Sequence, residues 1–141
     1  MSHGPATLVY AVGADHPLKT PSAELIAAAG DGRVDATTTA EVIQEFVDVR
    51  SRRRSRADAV ALARDFTRLL SPLLLVDEAL LERGLALFAR QGIGAFDAVL
   101  AATALASGAD VLVSADRAFA AIPRLRHVAP GAPELARLLA L

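Results

Sequence analysis

The sequence predicts an α/β protein in which a short, mostly parallel sheet of four to five strands lies between two layers of helices. Short apolar segments such as Val111–Val113 alternate with longer segments that have helical periodicity. This alternation is typical of β-α-β units, whose helices cover both faces of a parallel sheet. The length of 141 residues, without internal repeat or linker, predicts a single domain over residues 1–141.

The composition excludes several classes of function. The chain has no Cys, which removes disulfides, thiol catalysis and Cys-ligated zinc together. It has one lysine, Lys19, and a formal net charge of −1, so the overall charge predicts no partner. No signal peptide is recognisable, and no apolar run reaches the ~18 residues of a membrane span. We therefore expect a soluble, cytoplasmic protein without a membrane partner.

The first third of the chain predicts a turn, a helix and a strand. Pro17 favours a turn at 14–17. Thr20 as N-cap and Gly30 as terminator bound a helix, with Ala23, Ile26 and Ala27 as its apolar face. A strand is predicted over 33–37.

The middle of the chain predicts two helices and a buried strand. Thr38 or Thr39 caps a helix over 40–50, whose apolar face is formed by Val42, Phe46 and Val49. A second helix runs over 57–70 and ends before Pro72. The apolar segment 73–76 predicts a strand that is buried on both faces.

The last part of the chain predicts the remaining helices and strands. Asp77 caps a helix over 78–90 that turns Leu80, Leu81, Leu85 and Phe88 inward. The next helix opens at Gly94 and leads to the strand Val111–Val113. The sequence then predicts a helical turn over 117–122, an edge strand over 125–128 and a helix over 133–141.

Three acidic residues stand where this fold would direct them toward one crevice. Asp97 lies in the first turn of a helix, Asp116 follows the strand Val111–Val113, and Glu45 leans onto the apolar side of its helix. Ligands of open parallel sheets collect outside the carboxyl ends of the strands. Clustered carboxylates repel one another unless a hard divalent cation lies between them. Together the three acids predict a metal site.

Each acid also has an ordinary structural explanation. Asp97 can complement the dipole of its helix, and Asp116 can cap the helical turn that follows it. Glu45 can face water if the apolar face of its helix is shifted by one residue. The arginine-rich run Arg50–Arg56 can be a solvated surface, or it can hold RNA phosphates.

The segments AFDAVLAATAL and ADVLVSADRAF resemble the C-terminal half of PIN domains of the VapC type, and TTTAEVIQEFVDV resembles the part of that family that supplies an acidic helix residue. The resemblance extends from about Leu8 to His127. It implies a PIN-like α/β/α fold and an endoribonuclease dependent on Mg²⁺ or Mn²⁺, the toxin of a toxin–antitoxin pair. It implies Asp97 and Asp116 as direct metal ligands, and Glu45 as a residue that acts through water.

The same resemblance implies further site residues and partners. Ser114 and Thr38 match small hydroxyl positions near the site, although strand-end bonding and helix capping explain them equally well. Arg117, next to Asp116, is placed to contact the scissile phosphate. RNA, a VapB-like antitoxin and a second copy of the chain are the expected partners.

The beginning of the chain departs from the family pattern. Residues 8–11 match the short helix that follows the family's first strand, so that strand is expected to be missing or replaced, with residues 1–6 atypical or foreign to the natural chain. The acid that ends that strand in the family would fall near Gly4 or Pro5, which carry no carboxylate. Weak activity is therefore expected.

Two other classes of function remain for comparison. A PIN-like module without catalysis could bind RNA or an antitoxin. A phosphoacceptor receiver domain is disfavoured because the chain has no lysine after Lys19. The absence of a glycine-rich phosphate loop likewise disfavours a nucleotide-binding enzyme.

Overall fold

A computed structural model describes residues 6–13 and 20–140 of the chain, with the side chains of residues 20–22 excepted. The predicted turn at 14–17 and the atypical residues 1–5 lie outside this part. The elements follow one another in this order: β1 Ala6–Tyr10, α1 Thr20–Gly30, β2 Val34–Thr37, α2 Ala40–Arg53, α3 Arg56–Leu70, α4 Glu78–Arg90, α5 Ala95–Ser107, β3 Val111–Val113, a 3₁₀ helix Arg117–Ala121, β4 His127–Val128 and α6 Pro133–Leu139.

The four strands form one parallel sheet in the order β2-β1-β3-β4. Leu8, Val9 and Tyr10 of β1 are consecutive and all buried, as are all three residues of β3. Successive side chains of a strand point to opposite faces of its sheet. Both faces of the central strands are therefore covered by helices, as the predicted three-layer α/β/α class requires.

The expectation for the beginning of the chain is wrong for the described residues. Residues 8–10 belong to β1 instead of a short helix, and β1 occupies a central place in the sheet between β2 and β3. Thr7, Leu8 and Val9 pair with Asp35, Ala36 and Thr37 of β2. A four-residue apolar stretch fits either period, so the pairing partners on both sides decide in favour of a strand.

The predicted strand at 73–76 is also wrong. Leu74 forms only an isolated parallel bridge with Thr39, in which its N–H donates to the carbonyl of Thr38 at 2.8 Å. Leu75 is 82% exposed, so the segment is not buried on both faces. The strand predicted at 125–128 is reduced to His127–Val128.

Two helices bury faces that differ from the predicted ones. In α1 the buried residues are Leu25 and Ala28, whereas Ala23 and Ala27 are exposed. In α4 three of the four side chains predicted to face inward, Leu81, Leu85 and Phe88, are 45%, 45% and 49% exposed, and the fourth, Leu80, is half-buried.

The reason for the orientation of α4 is its close contact with α5. Gly84 of α4 is buried, and a Cβ atom added there would lie 2.6 Å from Cα of Val99. The helices meet where one side chain is absent, which turns the larger apolar side chains of α4 outward.

Two contacts join α2 to α3 behind the sheet. The rings of Phe46 and Phe66 meet edge to face with centroids 5.2 Å apart. The buried Arg50 guanidinium donates through Nε to Asp58 at 2.8 Å. Such a pair is costly to break because the remaining charge would be left buried. In the described part of the chain, no helix is both long enough and apolar enough to cross a bilayer.

Candidate active site

Asp97 and Asp116 meet at the carboxyl edge of the sheet. Asp97 lies in the first turn of α5, whose N-cap is Gly94 and therefore supplies no side-chain hydrogen bond to the first turn. Asp116 follows β3 and is the N-cap of the 3₁₀ helix, where its Oδ1 accepts a hydrogen bond from the Ala118 N–H at 2.9 Å. The ends of α5 and β3 thus bring two carboxyl groups together, as the sequence predicts.

The proximity of these groups contributes to a raised pKa of Asp97. Burial raises the pKa of the Asp97 carboxyl group from 3.8 to about 6, and the charge of Asp116, a hydrogen bond with Asp116 and the charge of Glu45 add to the rise. A helix N-terminus would favour the carboxylate and lower this pKa. Because the shift is in the opposite direction, dipole complementarity alone does not account for Asp97.

Glu45 acts on this pair at longer range. It lies on an exposed side of α2 and contributes to the Asp97 pKa through its charge, without a hydrogen bond. In keeping with this separation, no three His, Cys, Asp or Glu side chains among residues 6–13 and 20–140 are grouped so that they could hold a metal ion. The prediction that Glu45 leans onto the buried side of its helix is wrong.

Ser114 positions Asp116. Its side chain is buried, and its Oγ accepts a hydrogen bond from the Asp116 N–H at 3.0 Å. Its own N–H donates to the carbonyl of Val128. The structure thus places Ser114 beneath the acid, in the role of a strand-end residue that satisfies backbone groups.

His127 supports the turn that carries Asp116, a role that its position in the sequence did not indicate. Its Nε2 lies 2.8 Å from the carbonyl oxygen of Ser114, and its ring lies 6.1 Å from that of Phe119. The histidine therefore supports the turn that carries Asp116 from the neighbouring strand β4. Nothing in the spacing of the histidines indicated this, because the contact depends on the pairing of β3 with β4.

Of the two other predicted site residues, Thr38 is buried and Arg117 is exposed. The helix cap belongs to Thr39, whose Oγ1 accepts from the Val42 N–H at 3.2 Å. Thr38 is fully buried at the end of β2, and its hydroxyl makes no hydrogen bond within the described residues. Arg117 directly follows Asp116 and is exposed.

The arginine-rich run is divided between two helix ends. Arg50 is held by Asp58, and Arg52 pairs with Asp48 at 2.7 Å. Arg54 and Arg56 are exposed at the junction of α2 and α3. Part of the run therefore serves the helix junction.

The pair Asp97–Asp116 fits a hard divalent cation. Both donors are carboxylates, the ligands that Mg²⁺ and Mn²⁺ prefer. Burial and the neighbouring charges of Asp116 and Glu45 raise the pKa of Asp97, and a bound cation would offset both effects.

Comparison with known proteins gives three findings. The model of the PIN domain family matches residues 7–125. Ribonuclease VapC7 of Mycobacterium tuberculosis (strain ATCC 25618 / H37Rv) is 53% identical over 137 residues, covering 94% of this chain and 92% of that relative. The crystal structure of PAE2754 from Pyrobaculum aerophilum superposes with a TM-score of 0.65 over 99% of this chain and 100% of that one. At 22% identity, the last similarity concerns the fold alone.

Proposed function

The chain belongs to the PIN-domain family and, within it, to the VapC-type proteins, and from this premise we propose that it is a divalent-metal-dependent endoribonuclease. It would hydrolyse RNA phosphodiester bonds as the cytoplasmic toxin of a VapBC-like toxin–antitoxin module. The observation that carries the proposal is the juxtaposition of the Asp97 and Asp116 carboxyl groups at the carboxyl edge of the sheet, close enough to the Glu45 charge for it to raise the pKa of Asp97.

In this proposal Asp97 and Asp116 hold Mg²⁺ or Mn²⁺. When bound, such an ion lowers the pKa of a water and stabilises the charge that develops on the phosphate. Two hydrogen bonds fix Asp116 for this task. Its own N–H donates to Ser114 Oγ, and its Oδ1 accepts from the Ala118 N–H. Glu45 orients a water molecule from the side of α2, and the exposed Arg117 contacts the phosphate.

The site is expected to bind the metal weakly. The resemblance places the family's first acid near Gly4 or Pro5, and neither these two residues nor residues 11–13, which follow the central strand β1, carry a carboxylate. Binding is then carried by two carboxylates directly and by a third through water. The partners we propose are RNA, a cognate VapB-like antitoxin and a second copy of the chain.

The test combines metal binding with RNA cleavage. We expect Mn²⁺ to bind weakly in calorimetry, and D97N and D116N to abolish that binding. Cleavage of RNA in Mg²⁺ or Mn²⁺ should be slow in the wild type and fall at least ~100-fold in either variant, because metal charge stabilisation is worth several kcal/mol.

The exposed Asp35 of β2 provides the matched control. D35N removes one charge away from the pair and should leave metal binding and cleavage unchanged. Metal-independent cleavage that survives D97N would contradict the proposal. RNA or antitoxin binding without any cleavage at saturating metal would favour the second candidate, a non-catalytic module, which the missing first acid supports.

A further inference from the structure

An open groove of about 580 Å³ lies beside the contact of α4 with α5. Three arginines line it, Arg83 and Arg90 from α4 and Arg124 from the turn after the 3₁₀ helix. Its remaining polar lining residue is Gln91, and the rest of its surface is formed by small or aliphatic side chains: Ala86, Leu87, Ala102, Leu105, Ala106 and Pro123.

The charges of these arginines are available to a ligand. In the described part of the chain no carboxylate pairs with any of the three, and the one hydrogen bond they make joins Arg90 Nε to the Ala86 carbonyl at 3.3 Å. The whole chain has a formal net charge of −1, so attraction of a polyanion must come from a local concentration of positive charge. The groove provides such a concentration, whereas Arg50 and Arg52 of the arginine-rich run are already paired.

Arg124 occupies a backbone conformation that favours glycine. Its φ is 67°, and the Leu125 N–H donates to the Ile122 carbonyl at 3.3 Å across the turn. With Pro123 and Arg124 as central residues, this is the arrangement of a type II turn, whose third position is normally glycine or asparagine. A strained non-glycine residue at the rim of a groove points to a use for its side chain.

The groove is lined by residues of α5, which carries Asp97, and by the turn that follows the 3₁₀ helix capped by Asp116. The lining residues Ala102, Leu105 and Ala106 belong to α5, which bears Asp97 in its first turn. Pro123 and Arg124 follow the 3₁₀ helix that Asp116 caps. From Asp97 to Ala106 the helical rise is about 13.5 Å, a distance that an RNA strand spans with a few nucleotides.

We propose that this arginine groove is a second contact site for the RNA strand, separate from the acid pair and directed at its phosphates. Guanidinium groups bind phosphate with two parallel hydrogen bonds, which suits three arginines without carboxylate partners. None of the described residues that line the groove is aromatic, so it binds the RNA backbone without stacking bases and does not discriminate between sequences. An acidic protein segment fits less well, because half of the six apolar lining residues are alanines, which offer little anchorage for a large apolar residue.

The proposal rests on the proposed function, because its ligand is the RNA substrate. The experiment measures binding of fluorescein-labelled single-stranded RNA of about 12 nucleotides by anisotropy in EDTA, so that neither metal nor cleavage contributes. R83Q, R90Q and R124G should each weaken binding about 3- to 10-fold at low salt. Each should also reduce the slope of log K against log salt by about 0.7, the value of one lost phosphate contact on a single strand.

Two features of the design distinguish a loss of RNA binding at the groove from a loss of folding and from a general loss of positive charge. R124G replaces the strained residue with the one its turn prefers, so its melting temperature should be unchanged or higher while RNA binding falls. R68Q removes an exposed arginine of α3 that pairs with Asp65, and R56Q removes one from the arginine-rich run. Both should bind RNA like the wild type.

Three results would overturn the proposal. Wild-type affinity in all three groove variants would do so, and equal losses in R68Q and R56Q would assign the binding to diffuse charge. Groove variants that keep RNA affinity but lose binding of polyglutamate would assign the groove to a protein partner. A wild-type chain that binds and cleaves no RNA would instead contradict the proposed function, and this outcome is distinct from failure of the groove alone.

Discussion

At the scale of single residues, the half-buried Asp97 carboxylate of the candidate site lowers the free energy of unfolding at neutral pH. Its pKa is about 6 in the folded chain and 3.8 at its ordinary value. Between these pH values the folded chain binds a proton that the unfolded chain has released. The free energy of unfolding therefore falls as the pH rises from about 4 to about 6, and the loss persists above that range.

The expected change is measurable by urea denaturation of the metal-free protein. We expect D97N to be more stable than the wild type at pH 7 by about 1 kcal/mol, a figure reduced for solvent screening because the side chain is only half-buried. The advantage should vanish near pH 4. D35N serves as the control for loss of one charge, and an advantage of D97N that does not depend on pH would contradict the electrostatic explanation.

The positions of the two aspartates could be predicted from the sequence, whereas their supporting contacts could not. Asp97 opens a helix and Asp116 follows a strand, and in a parallel sheet both places lie at the carboxyl edge. The contact of His127 with the Ser114 carbonyl depends on which strands are neighbours, whereas the bond from the Asp116 N–H to Ser114 Oγ is local. The orientation of Glu45 depends on how far α2 is rotated, which its apolar pattern left uncertain by one residue.

At the scale of elements, the contact of α4 with α5 depends on a missing side chain. A Cβ atom at Gly84 would lie 2.5 Å from Cγ2 and 2.6 Å from Cα of Val99, and the second of these is backbone that cannot rotate away. Alanine favours a helix over glycine by about 1 kcal/mol, but overpacking costs typically 1–3 kcal/mol. We expect G84A to lower the free energy of unfolding by up to about 2 kcal/mol.

Gly30 at the end of α1 allows a matched comparison. A Cβ atom there would meet only Leu69 Cδ1, at the ordinary contact distance of 3.8 Å. G30A should therefore be neutral or stabilising by up to about 1 kcal/mol in the same urea titration. If G84A were as stable as G30A, the close approach of the two helices would be refuted.

The same contact explains why the buried face of α4 could not be predicted. Leu81, Leu85 and Phe88 recur at helical spacing, which is equally typical of a core face and of an interface. The bounds of α4 and its cap at Asp77 were predicted correctly because they depend on local chemistry. Which stripe packs inward is decided by a glycine and its partner on another helix, and periodicity contains no information about that partner.

At the scale of the whole molecule, α4 presents two different surfaces. Arg83 and Leu81 are separated by about 200° around the helix, so the arginine groove and the apolar stripe face opposite sides. Leu81, Leu85 and Phe88 recur at helical spacing on one side of α4 and are each more than two-fifths exposed, and exposed apolar surface of this kind marks protein interfaces. We propose that this stripe joins two copies of the chain, as isologous contacts do in most dimers.

Disruption of the stripe should therefore dissociate the dimer. L85E places a charge in the interface twice, once from each copy, and burial of a leucine is worth about 1.5–3 kcal/mol. We expect the dimer affinity to fall at least ~100-fold in sedimentation velocity, while the stability of the monomer is kept because Leu85 is exposed. V60E introduces the same charge at an exposed apolar residue of α3 that is outside the stripe, and it should leave the dimer intact. A wild-type chain that stays monomeric at all concentrations, or a dimer that L85E does not weaken, would show that the stripe of α4 serves a different partner.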